Sequence, residues 1–155
     1  MADATLEKLY REGYKLASVG QRAFAFVVDE LLVTLIVMAA YWDYLSHAQG
    51  IEEMIAAVNS TLFFVMALKV AYHTLFIALY GATLGKMATR IVVVDQEMLS
   101  RPDWVAALRR ASMRLVSEML FWLGFFWALV DPLRQSWHDK FGQTLVISLS
   151  NVREF

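Results

Sequence analysis

With 155 residues the chain has room for one compact domain. Its 59% hydrophobic and 14% aromatic content, with a mean hydropathy of +0.48, exceeds what water-soluble domains carry and excludes an ordinary soluble globule. A formal net charge of −1 excludes the basic field of a nucleic-acid binder, and the lack of cysteine excludes disulfides, thiolate metal sites and thiol catalysis. The expected architecture is a single all-α integral membrane domain over residues 1–155. It has two transmembrane helices, a third short apolar helix that is re-entrant or spanning, an amphipathic basic helix and a small two-stranded cytoplasmic β element.

Residues 1–21 are mixed in charge and lack the apolar core of a signal peptide, so they read as a cytoplasmic arm, helical or disordered. The first membrane helix is placed at residues 22–41, where the run from Ala23 to Tyr41 is broken only by Asp29, Glu30 and Thr34. At 1.5 Å per residue, Asp29 lies roughly 9 Å inside the hydrocarbon edge. An acid at a helix centre costs about 2.5 to 3.5 kcal/mol on insertion scales, against roughly 0.3 to 0.6 returned by each strongly apolar residue. Such a group must therefore face protein or water, or hold a proton. Arg22, seven residues before Asp29, shares its face, whereas Glu30 points about 100° away.

The second membrane helix is placed at residues 58–80, with Lys69 and His73 stacked one turn apart inside it. Antiparallel packing brings His73 level with Asp29 and Glu30, and the flexible Lys69 stem covers its remaining offset. Asp29, Glu30, Lys69 and His73 thus make a candidate cluster for binding a proton or monovalent cation. The competing reading is a set of structural ion pairs that fix helix register.

GATLGK at residues 81–86 lacks the four-residue spacing and the Ser or Thr of a phosphate loop, and reads as an exit turn with Lys86 at the headgroups. Residues 90–95 (RIVVVD) and 144–149 (TLVISL) have strand composition. Ser100, Pro102 and Asp103 signal the start of a helix whose Arg109, Arg110 and Arg114 are expected to contact anionic lipid headgroups. Twelve apolar residues, 119–130, form the core of the third apolar segment at 115–133. In the tail, 134–155, His138 and Asp139 are expected to join Lys86 in a cytoplasmic polar network.

Counted outside the apolar segments, Lys and Arg number four before the first helix, none from Trp42 to Ala57, six from Gly81 to Arg114 and three after Leu133. The positive-inside rule then puts the N-terminus and the middle segment in the cytoplasm, and favours a third segment that dips into the membrane and returns. No cofactor motif or metal-ligand spacing is visible, and no nucleophile stands beside His138, so an enzyme is not expected.

Four blocks in order resemble the RDD family of bacterial inner-membrane proteins. Gln21 to Asp29 (QRAFAFVVD) is similar to its opening helix, Gly81 to Asp95 (GATLGKMATRIVVVD) to its Gly-x-Thr-x-Gly-Lys stretch and following strand, Leu108 to Arg114 (LRRASMR) to its basic helix, and Asp131 to Ile147 (DPLRQSWHDKFGQTLVI) to its Arg-Gln-x-x-His-Asp-Lys ending. The resemblance makes Arg22 the family's namesake Arg, Asp29 its first Asp and Asp139 its second. It implies an inner-membrane location and a transport-related role, cation/proton exchange being the most concrete suggestion. A homo-oligomer follows, because two spans enclose no pathway. The alternative is a membrane scaffold or assembly module.

Overall fold

The computed structural model describes residues 2–47, 50–121 and 123–149. Two long apolar helices, α2 (Val19–Ala40) and α4 (Ile51–Tyr80), are long enough to cross a membrane. At 22 residues, α2 is about 33 Å long, close to the hydrocarbon thickness. Much of its surface, including Phe24, Leu31 and Leu35, has no protein partner, as lipid-facing positions require. It starts three residues earlier than the apolar run predicts because Ser18 and Gln21 form a capping box. α4 likewise starts at Ile51 rather than residue 58, since Glu52 and Glu53 suit the positive end of a helix and extend it beyond the apolar stretch. The short α3 (Trp42–Ser46) precedes it, and Gly81, in the left-handed conformation at φ 70°, ends it.

A small sheet lies where α2 begins and α4 ends. Its middle strand, β3 (Thr144–Ser148), pairs antiparallel with β2 (Ile91–Asp95) and with β1 (Lys15–Leu16). Val93 stands opposite Val146, and Leu16 opposite Ile147. The expected two-stranded element therefore has three strands. The extra one, only two residues long, has no alternation by which it could be read. Every residue of β3 is buried, which accounts for its unbroken apolar character. The amphipathic α1 (Ala2–Arg11) inserts Leu9 into a cluster with Val94, Leu99, Leu133, Leu145 and Ile147.

The basic helix, α6 (Trp104–Met119), packs along α4 and is capped by Asp103, whose side chain accepts from the Ala106 amide at 2.7 Å. The cap sits three residues beyond Ser100. The chain then bends by 110° into α7 (Leu123–Phe126) and a 3-10 turn at Trp127–Leu129. The Asp95 amide donates to the Ser100 carbonyl and closes the turn after β2, and beyond the apolar excursion Gln135 Nε2 donates to Gln96 Oε1 at 3.0 Å, tying the C-terminal end of the excursion to that turn. α8 (Trp137–Phe141) follows and leads into β3.

Between α4 and β2 the short α5 (Leu84–Ala88) lies against α2 at a glycine. A Cβ on Gly85 would collide with the Ala25 carbonyl oxygen and stand 2.8 Å from Asp29 Oδ1. A Cβ on Gly20, by contrast, would meet nothing nearer than Ser18 Oγ at 3.9 Å. Gly85→Ala should therefore lower stability by about 1–3 kcal/mol, as overpacking does, while Gly20→Ala should leave the melting temperature in detergent unchanged or raised. Equal melting of the two variants would contradict this close approach.

Candidate functional site

Three polar groups radiate from the first half of α2. The capping box places Arg22 in the first turn, pointing at the α8 entry. There Arg22 Nη2 donates to Ser136 Oγ at 3.0 Å and to one oxygen of Asp139. Arg110 Nη1 donates to the other Asp139 oxygen and to Thr144 Oγ1, the latter at 2.7 Å. The Ser136 amide and hydroxyl also donate to Asp139, at 2.9 and 2.6 Å, completing a second capping box. Burial alone would raise the Asp139 pKa, but Arg110 and Arg22 outweigh it and hold the carboxyl well below its ordinary range. Beside it, burial reinforced by Arg110, Arg22 and Arg114 overcomes the pull of Asp139 and keeps His138 neutral. Its Nε2 lies 2.9 Å from Ser136 Oγ. Because that hydroxyl gives its proton to Asp139, Nε2 is the protonated nitrogen. Nδ1 is left as a buried acceptor with no partner among the described residues.

Asp29, two turns along α2, is fully buried and is held by the start of α5 together with one side chain of α4. Its carboxylate accepts from Tyr72 Oη (2.8 Å), Thr83 Oγ1 (2.7 Å) and the Gly85 amide (2.8 Å), with Lys86 Nζ at 3.9 Å. Thr83 caps α5, so one side chain both starts that helix and binds the acid. Lys86 is buried, and that burial, together with Arg114 and Arg110, lowers its pKa to about 7 against the opposing effect of Asp29.

Glu30, one step round the helix, meets a different set. Lys69 Nζ is 2.7 Å from Glu30 Oε2 and 2.7 Å from Glu118 Oε2, while Arg114 reaches Glu30 at 3.3 Å and Glu118 at 3.0 Å. The expected cluster of Asp29, Glu30, Lys69 and His73 is thus divided. Glu30 and Lys69 do meet. Asp29 is claimed by α5, and His73 is buried with Nε2 unpartnered among the described residues. Helix rotation sends the two adjacent acids to different partners.

Headgroup contact is corrected for two of the three arginines of α6. Arg110 and Arg114 are each only 5% exposed, whereas Arg109 faces outward. Arg110 and Arg114 share a face with Ala106, Ala107, Ala111 and Ser117, the small-residue side that packs inward. Lys86 and His138 line one cavity, Asp139 pairs with Arg22 and Arg110, and Lys86 pairs with Asp29. Tyr72, Thr83 and Ser136 were not foreseen. Thr83 and Ser136 had a signal, since each is a hydroxyl residue directly preceding a short helix.

These cations converge on a cavity of about 270 Å³ beside α2, with Arg22, Lys86, Arg110, Arg114, Ser136 and His138 on its polar side. Asp29 does not line it. Arg114 stacks on Phe26 and Phe125, 4.9 and 5.7 Å from the ring centres, and the two rings meet edge to face at 5.2 Å. Within the whole network, five cations (Arg22, Lys69, Lys86, Arg110 and Arg114) face four carboxylates (Asp29, Glu30, Glu118 and Asp139). With Lys86 neutral these charges balance, and with Lys86 protonated one positive charge is in excess.

Two membrane-length helices joined to a small sheet, with a buried network of Arg, Lys and carboxylates at the junction, define a small membrane-type protein. The RDD family model matches residues 16–143, and the chain belongs to the RDD family. The uncharacterized protein RP437 of Rickettsia prowazekii (strain Madrid E) is 32% identical over 77 residues, half of this chain and 42% of that protein. This chain therefore spans less than half the length of that relative. No solved structure matches.

Removing the shared carboxylate strands the buried Arg110 and the half-buried Arg22. Asp139→Asn should cost about 3–5 kcal/mol of unfolding free energy in detergent. A carboxyl with a lowered pKa adds stability that is complete above its ordinary value of 3.8 and is lost as pH falls through the folded value. Acid titration should therefore show a transition below pH 3.8 in the parent chain that Asp139→Asn lacks.

Proposed function

We propose that the chain is a transport-related inner-membrane protein that binds a small anionic solute in the basic cavity, with Lys86 as the proton-responsive group. The observation that carries this reading is the convergence of Arg22, Lys86, Arg110 and Arg114 on one space. The chemistry is binding and movement rather than catalysis. The Lys and Arg distribution supports a cytoplasmic N-terminus and sheet. The return of α8 to α6 beyond the third apolar segment, with Arg110 donating to Asp139, supports a re-entrant path for it. A homo-oligomer would supply the enclosing walls that two spans lack.

Cation exchange at Asp29 is less well supported, because its oxygens are already occupied by a tyrosine, a threonine and a backbone amide. That saturation favours a fixed structural role for Asp29, as in an assembly module. A bound anion, in contrast, stabilises charged Lys86, so binding takes up a proton and weakens as pH rises through about 7.

Sulfate, whose charge is constant in this range, is a suitable probe. Its apparent affinity for the purified chain should fall by up to about tenfold per pH unit above the Lys86 value, and Lys86→Gln should flatten that profile. Sulfate binding that ignores pH would remove Lys86 from the reading. Sodium-driven proton movement in proteoliposomes, abolished by Asp29→Asn in a folded protein, would replace anion binding with cation exchange.

A further inference from the structure

The cavity has basic side chains along one margin, and most of its surface is apolar. Its remaining walls are Val19, Ala23, Phe26 and Val27 from α2, with Phe125 and Ala128 from the apolar segment after α6. Ala23 and Val27 are exposed, so the mouth opens along the lipid-facing side of a membrane-length helix. A free inorganic anion would contact the basic side and leave six apolar side chains unused. An amphiphile would use both, its head on the charged side chains and its first methylenes against the apolar ones.

Resting on the anion-site reading above, we infer that the occupant is a phospholipid with a phosphomonoester headgroup, seated head-first against Lys86 and the arginines. Its acyl chains leave between α2 and the Phe125 to Ala128 stretch. The volume of about 270 Å³ holds a headgroup and the first methylenes and leaves the chains in the bilayer. The lining contains no carboxylate among the described residues, so a choline or ethanolamine cation finds no counter-charge there. His138, 4% exposed, also lines the cavity, and its Nδ1 is a buried acceptor with no partner among the described residues.

The full chain, purified in neutral detergent at pH 6.5, is tested against dioleoyl phosphatidic acid, dioleoyl phosphatidylcholine and inorganic phosphate by native mass spectrometry and thermal melting. One phosphatidic acid per chain should be retained, with an affinity at least tenfold above that for phosphatidylcholine or inorganic phosphate. Ala23→Trp and Val27→Trp, both at exposed positions, narrow the mouth without touching a charge. Each should reduce phosphatidic acid retention at least tenfold while changing the response to inorganic phosphate less than twofold. Equal retention of phosphatidylcholine would overturn the headgroup assignment. Inorganic phosphate binding as tightly as phosphatidic acid would overturn the lipid and leave the anion site standing. Failure of both phosphates to bind would remove both.

Discussion

The structure depends on one carboxylate shared between two guanidiniums. Asp139 accepts from Arg22 at the start of α2 and from Arg110 in the middle of α6, and it caps its own helix through Ser136. Arg110 in turn reaches Thr144 at the head of the central strand. Two like charges buried this close together repel strongly at low dielectric, and only a fixed anion between them makes the arrangement stable. A membrane helix, the basic helix and the sheet are thereby held in one relative position. The cavity is the space left between them.

The second constraint is rotational. Asp29 and Glu30 are neighbours, and a step of about 100° along α2 separates their partners completely. Asp29 goes to the α5 turn, where the missing side chain of Gly85 lets the backbone amide reach it. Glu30 goes to Lys69 and Arg114. Each acid inside the apolar helix is thus matched, which removes most of the cost that an unpaired charge would carry in lipid. Within the described network Lys86 is the least completely neutralised cation, its contact with Asp29 being 3.9 Å long.

The two spans were legible because a length criterion applied to apolar runs needs no tertiary information, and β2 and β3 because β-branched residues cluster there. Element boundaries were less legible. Caps and charged first turns, as at Ser18 and Glu52, extend helices past the apolar stretch. The site was half legible. Depth along two antiparallel helices follows from counting residues, which brought Glu30 and Lys69 together, but rotation depends on packing. The inward face of α6 shows the same limit. Arginines on an amphipathic helix suggest a headgroup contact, yet the small residues Ala106, Ala107 and Ala111 on that face permit a close approach to α4, and the arginines are drawn in with them. Nothing in residues 15–16 distinguishes a strand, since its existence is imposed entirely by the edge that β3 offers.

The strand at the centre of the sheet is also the last of the three in chain order, and Asp139 precedes it by only five residues. In chain order both long helices and α6 precede the anion that neutralises Arg22 and Arg110. A nascent chain halted before Asp139 would carry bare guanidiniums at the membrane boundary and two strand edges without a mate. Interruption ahead of Asp139 therefore removes, in a single step, the counter-charge of both guanidiniums and the strand that joins the other two.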